Sequence, residues 1–392
     1  MECSGPLKHA DPVEGSKLVS FALFLRHGIR TPLGIYQYLN KTERGVWICD
    51  SDNSYAPRNH FSIFPNQSQP NDAKISRRYY NQLDTNLVEY PPNCQIGDLL
   101  IQGMDQLYRL GQFYQQYLIQ ELRFLPRLIH PELMELRSTY VERTFRSAES
   151  FMAGFYPPVQ PNEEITILTG SDTRDFLTPN QEWCPELKKD LDKFLSSDEY
   201  KERYKKAQSN YQKIFDELHI NFDESNWRTL SDYLSGLYCT DQPFPERITS
   251  LVTDDIFNQI IEDGGFYYYN FYSMTKGVAG APLFRELLRA FDEQFDGKTE
   301  NSKKRFYLYS SHDTTIVSIL TAFGYTEKAL PAWGSHLAVE VWENSKGKFI
   351  RFVYNGDPIP IGEQSETLMK YDAFKVKMSN LGIYKYCDPF YE

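Results

Sequence analysis

No stretch of this 392-residue chain stays apolar for long. Runs such as FALFL (21–25) fall well short of the roughly 18 residues a membrane helix needs, so no integral membrane span is expected. Surplus positive charge is lacking too: 42 Lys and Arg against 53 Asp and Glu leave a net −11, which excludes a nucleic-acid partner held by bulk electrostatics. Positive charge for an anionic ligand has to be local. The six cysteines (Cys3, Cys49, Cys94, Cys184, Cys239, Cys387) show no CxxC and no Cys/His ligand spacing, which leaves disulfides or plain buried thiols. MECSGPLKHADPVEG has no apolar h-region and does not read as a signal peptide; an intracellular chain and a mature secreted chain behind Met1 both fit. There is no internal repeat and no low-complexity tract. Thr275-Lys276-Gly277 with Gly280 lacks the GxxxxGK[ST] order of a P-loop.

What is present, 41% hydrophobic and 24% charged residues, suits a globular protein with a large core and two lobes. The apolar run Leu18 to Leu25 predicts a central strand buried on both faces. From Tyr36 to Pro92 the chain is rich in Asn, Pro, Ser and Asp and reads as a long loop excursion, bracketed by Cys49 and Cys94. It carries two glycosylation sequons, Asn40-Lys41-Thr42 and Asn66-Gln67-Ser68, which favour a secreted setting.

Apolar spacing then predicts a helix over Gly103 to Ile119, a strand over Leu133 to Leu136, a helix ending at Phe155 before Pro157-Pro158, and a strand over Ile165 to Leu168. A Lys/Glu/Asp-rich helical block follows, with no strand before Arg305. A strand (Arg305 to Tyr309), a helix (Thr315 to Phe323) and a hairpin (His336 to Trp342, Phe349 to Tyr354) close the pattern. The expected fold is α/β, with a mostly parallel sheet flanked by helices over 17–175 and 300–392 and an inserted, mainly helical domain over 176–299. The aromatic stretch 266–272 is expected in the core or at a homodimer contact rather than on the rim of a site. His336 is read as structural, and Glu340 as exposed or hydrogen-bonded.

Three places share one arrangement, a strand followed at once by charged residues: Arg26-His27-Gly28-Ile29-Arg30, Arg137-Ser138-Thr139 and His312-Asp313. Ligands bind at the carboxyl ends of strands in open α/β sheets, so these segments are expected to converge. Together they supply three arginines, two histidines and an aspartate, a set suited to phosphoryl transfer. Arginine grips phosphate oxygens in pairs. A neutral imidazole attacks phosphorus, and an aspartic acid protonates the leaving alkoxide. His27, flanked by Arg26 and Arg30 on a turn that Gly28 loosens, is the expected nucleophile; His312, beside Asp313, is the expected phosphate ligand. Acid preference is expected because Asp313 must start protonated while His27 stays neutral among arginines.

RHGIRTP carries five specified positions, which chance supplies in such a chain on the order of once in ten thousand sequences. It resembles the RHGxRxP motif of the histidine acid phosphatase family, the acid phosphatase and phytase branch of the histidine phosphatase superfamily. SSHDTT resembles that family's HD motif, and LRSTYVERT its RSTDxxRT segment. FMAGFYPP (151–158) and SHLAVEVW (335–342) extend the likeness over most of the chain. The resemblance implies His27 as nucleophile, Asp313 as proton donor, and Arg26, Arg30, Arg137 and His312 as phosphate ligands. It also implies a helical domain over the site, no metal or organic cofactor, and a secreted or lysosomal glycoprotein with disulfides. Tyr140 stands where the family has aspartate. Ser335 stands where prostatic and lysosomal types have the cysteine that pairs with Cys239. The expected pairs are Cys49–Cys94 and Cys184–Cys387, with Cys3 and Cys239 open. The expected activity is a metal-independent acid phosphatase acting on small phosphomonoesters or phosphopeptides. A phytase or inositol-phosphate phosphatase, and a catalytically inactive phospho-ligand binder, stand as alternatives.

Overall fold

A computed structural model describes residues 1–34, 47–49, 67–68, 74–75, 94–158, 164–171, 175–181, 184–362, 365–383, 385 and 387. Both sequon asparagines, Asn40 and Asn66, and most of the loop excursion lie outside these residues.

The chain opens with β1 (Lys17–Arg26) and the small antiparallel pair β2 (Gln67–Ser68) and β3 (Lys74–Ile75). Next come α1 (Ile101–Tyr114), continued by a π-helical segment Gln115–Glu121, then β4 (Met134–Ser138), α2 (Glu142–Phe155) and β5 (Leu168–Thr169). Six helices follow: α3 (Pro185–Ser196), α4 (Asp198–Leu218), α5 (Glu224–Cys239), α6 (Glu246–Thr249), α7 (Asp254–Met274) and α8 (Ala281–Asp296). The chain then returns to β6 (Phe306–Ser311), α9 (Asp313–Ala322), β7 (His336–Asn344), β8 (Gly347–Tyr354), β9 (Asp357–Ile359), β10 (Met369–Lys370) and α10 (Tyr371–Asn380).

One sheet organises these strands in the order β10-β8-β7-β1-β6-β4-β5, with β9 on β8. The α/β architecture is the expected one, and the sheet is mixed. β1, β6, β4 and β5 run parallel, while the β7–β8 hairpin and its neighbours form an antiparallel half. The expected strand at Ile165 shrinks to two residues. β5 is the sheet edge and Leu168 is exposed there, so only Leu168 and Thr169 find partners, opposite Arg137 and Ser138.

β1 is central, as its apolar run demands. Phe21, Leu23 and Leu25 point to the face covered by α1 and α2, where they meet Leu107, Phe151 and Phe155. Ala22 and Phe24 point to the opposite face, the alternation a pleated strand imposes. On that face Phe24 stacks on Tyr309 at 4.7 Å, and α8 reaches the sheet through Phe291 against Tyr307. Truncating a fully buried phenylalanine such as Phe24 costs about 3–5 kcal/mol.

All six cysteines are paired: Cys49–Cys94 and Cys184–Cys387 as expected, and Cys3–Cys239. The last pair explains the serine at 335. Gly5 donates to the Trp333 carbonyl at 2.8 Å, so the N-terminal segment runs beside the 333–335 loop and its Cys3 reaches Cys239 at the end of α5.

Candidate active site

β1, β6 and β4 are neighbours and parallel, so their carboxyl ends share one edge of the sheet. A cavity of about 840 Å³ opens there, and Arg26, His27, Arg30, His312 and Asp313 line it. Two sequence segments nearly 300 residues apart thus meet through a strand register that sets Arg26 beside Ser311.

The turn after β1 is held from beneath by α1 and α2. Gly28 N–H donates to Ser147 Oγ at 3.2 Å and Ile29 N–H to Gln106 Oε1 at 2.9 Å. A Cβ on Gly28 would sit 2.2 Å from the Gly103 carbonyl oxygen, so only glycine lets the turn lie on α1.

That turn fixes the His27 ring. Nδ1 lies 2.8 Å from the Gly28 carbonyl oxygen. A carbonyl only accepts, so Nδ1 carries the proton and Nε2 keeps its lone pair. Burial, followed by the charges of Arg143, Arg30 and Arg26, holds the imidazole well below the usual histidine range. His27 therefore stays neutral in acid.

The two flanking arginines are braced by other elements. Arg26 Nη2 pairs with Asp313 Oδ2 at 2.8 Å, its Nη1 donates to the Pro331 carbonyl, and its guanidinium lies 5.1 Å from the Trp333 ring centroid. Arg30 makes a two-pronged pair with Asp232 of α5, at 2.9 and 3.0 Å, and Asp232 also accepts from Leu33 N–H at 2.7 Å. Asp232 was not singled out in the sequence because nothing in ESNWRTLSDYLSGLYC sets it apart from a solvated helix face.

His312 caps α9, and its ring centroid lies 5.6 Å from that of His27. Its Nε2 is 3.0 Å from Thr139 Oγ1, and burial, ahead of the charge of Arg143, depresses its pKa to about 3. Asp313 begins α9, where the helix N-terminus favours anions. Burial would raise its carboxyl. Arg26, His312, Arg30 and the Thr314 N–H together outweigh burial and hold it below the usual carboxylate range.

Arg137 departs from expectation. It is not among the residues that line the cavity, and its guanidinium lies over the Phe176 ring at 4.5 Å. Register supplies the reason. Arg137 lies inside β4, opposite Tyr309, which is itself opposite Phe24, so Arg137 stops two residues, about 7 Å, short of Arg26. The first turn of α2 brings Arg143 into the cavity instead. Arg143 leads the charges acting on both site histidines. The signal was in the same string, LRSTYVERT, whose second arginine falls in the first turn of the helix that follows the strand. Nε of Arg26, Arg30 and Arg143, like that of Arg137, is buried with no acceptor among the described residues; on the three that line the cavity this suits an anion with several oxygens.

The sequence model described as histidine phosphatase superfamily (branch 2) matches residues 17–355. The chain belongs to that superfamily. This histidine phosphatase is 24% identical over 384 residues to counting factor 60 of Dictyostelium discoideum, covering 96% of this chain and 88% of that protein. It is 24% identical over 354 residues to human 2-phosphoxylose phosphatase 1, covering 87% and 71%. Among solved structures, apo Hafnia alvei phytase shares the fold with a TM-score of 0.61 at 13% identity, over 95% of this chain and 98% of that one. The chain is accordingly an enzyme, a phosphatase of the histidine acid phosphatase type.

The remaining expectations sort by burial. Of the aromatic stretch, Tyr267, Tyr269, Phe271 and Tyr272 are core residues, and Tyr268 alone faces the cavity. His336 is buried between Tyr114 Oη and the Pro6 carbonyl, and Glu340 is buried in a pair with Arg351. One group among the described residues has the spacing of metal ligands, Cys184, Glu186 and Cys387, but its two sulfurs form a disulfide.

Proposed function

We propose that this enzyme hydrolyses phosphate monoesters in two steps through a phosphohistidine, with no step assigned to a metal. Arg26, Arg30, Arg143 and His312 grip the phosphate. His27 Nε2 attacks phosphorus, the ester P–O bond breaks, and Asp313 gives its proton to the departing oxygen. Water then attacks the phosphohistidine while the Asp313 carboxylate takes its proton; the P–N bond breaks and phosphate leaves. The observation that carries this reading is the Nδ1 contact of His27 with the Gly28 carbonyl, which commits the other nitrogen to nucleophilic use inside an arginine-lined cavity. Positioned cations supply most of the stabilisation of the transferring group.

The same reading takes 176–299 as a helical cap on an α/β core of 17–175 and 300–392, because α5 and α7 contribute Asp232 and Tyr268 to the cavity wall. Three disulfides and two sequons support a secreted or lysosomal glycoprotein.

The test is phosphate release from p-nitrophenyl phosphate between about pH 4 and pH 8, with chelator, together with acid- and alkali-quench trapping of the phosphoenzyme. Wild type is expected to turn over best in acid and to yield an acid-labile, alkali-stable phosphoprotein, and His27→Ala to do neither. A folded wild type that forms no phosphoenzyme would overturn the covalent route.

A further inference from the structure

We propose that the cavity selects monophosphates of uncharged alcohols and turns away a second phosphate, with Glu327 as the residue that sets this choice; the inference rests on the phosphatase reading above. The cavity, at about 840 Å³, is far larger than a phosphate and encloses the leaving group as well. What the leaving group meets is decided by which charges remain once the transferring phosphate is held.

Five cationic side chains line the cavity among the described residues: Arg26, Arg30, Arg143, Arg228 and Lys328. Arg26 is paired with Asp313, Arg30 with Asp232, and Lys328 with Glu262 at 3.3 Å. Arg143, beside both histidines, belongs to the transferring phosphate. Arg228 is left, its guanidinium lying over the Tyr267 ring at 4.6 Å and its Nε donating to the Glu224 carbonyl at 3.3 Å.

Against that one cation stand two carboxylates of the lining, Glu2 and Glu327, neither of them in an ion pair among the described residues. Glu327 is fixed in place by two phenols, accepting from Tyr325 and Tyr354 at 3.2 Å each. A carboxylate so held can accept further hydrogen bonds from hydroxyl groups. Ionised, it repels a second phosphate, and among the described residues Arg228 is the one lining arginine free of both the phosphate cradle and a carboxylate partner to set against that repulsion. The same lining offers apolar surface from Ile261, Leu330 and Tyr268. A neutral leaving group that carries hydroxyls on an apolar frame satisfies both parts. A polyphosphorylated one satisfies neither, so discrimination comes from a built-in repulsion.

The probes are fructose 6-phosphate, fructose 1,6-bisphosphate and inositol hexakisphosphate, compared at pH 7 by kcat/KM for phosphate release in wild type, Glu327→Gln and Glu327→Lys; burial raises the Glu327 carboxyl above the usual carboxylate range, so the repulsion fades in acid. Wild type is expected to prefer the monophosphate by about tenfold or more, as a like-charge contact in a partly buried site implies. Glu327→Gln narrows that ratio, and Glu327→Lys narrows it further, by about fivefold or more. A wild type that favours the bisphosphate or hexakisphosphate, or a ratio unmoved in both variants, overturns the inference and leaves the phosphatase reading standing. Absence of turnover on every ester, p-nitrophenyl phosphate included, overturns the phosphatase reading and this inference with it.

Discussion

Arg26 Nη2 lies 2.8 Å from Asp313 Oδ2, an ion pair that joins the last residue of β1 to the first residue of α9. It keeps Asp313 ionised before substrate arrives, whereas the chemistry needs a protonated acid. The same arginine resolves the conflict. A bound phosphate dianion competes for Arg26 and places negative charge beside the carboxyl, and both effects push its pKa upward. Protonation of Asp313 is thus coupled to binding of the group that needs the proton.

Asp313→Ala is therefore expected to slow alkyl phosphates by about a hundredfold to ten-thousandfold, the usual worth of a positioned acid, and p-nitrophenyl phosphate far less. The measurement is kcat for a series of esters plotted against leaving-group pKa. Wild type should give a shallow line and the variant a steep one. Equal loss along the series would remove Asp313 from the acid role.

The two arginines of LRSTYVERT should separate cleanly. Arg143→Ala is expected to lower kcat/KM by about a hundredfold, as loss of a preorganised charge donor does at other sites. Arg137→Ala removes a guanidinium that stacks on Phe176 outside the cavity lining, so its effect on kcat/KM should stay within about threefold while the melting temperature falls. Paired kinetics and thermal melts decide the matter. A larger kinetic loss at Arg137 than at Arg143 would restore the strand-end arginine to the site.

That pair also marks how far the sequence could be read. The strand before RHGIRTP, the helix after His312-Asp313 and the β7–β8 hairpin were legible because each rests on local periodicity and a local breaker. His27, Arg26, Arg30, His312 and Asp313 were legible because they sit at a strand end or in the turn just after it. Arg143 was not, because its place depends on how α2 leaves β4 and on the register that sets Arg137 beside Tyr309. Asp232 and the Cys3–Cys239 bond depend on how α5 and the N-terminal segment dock, which no local pattern encodes.

Acid should weaken the fold in the range where catalysis gains. His336 is buried, with Tyr114 Oη 2.9 Å from Nδ1 and the Pro6 carbonyl 2.8 Å from Nε2. The carbonyl must accept from Nε2–H, so the neutral ring satisfies both contacts, and burial lowers its pKa from 6.5 to about 4. The unfolded chain then binds a proton that the native state refuses wherever pH lies below about 6.5, and stability falls with pH until the native ring itself protonates near 4. Over that window His336 alone should cost about 2–3 kcal/mol. His336→Gln keeps a donor and an acceptor without titrating. It is expected to be less stable than wild type at pH 7 and to lose less on acidification, so the two stability curves converge toward pH 4. Urea unfolding at pH 7, 5.5 and 4.5 measures this. Parallel curves would mean that the buried ring is not what acid attacks, and would shift the burden to His27 and His312, which burial holds neutral in the same way.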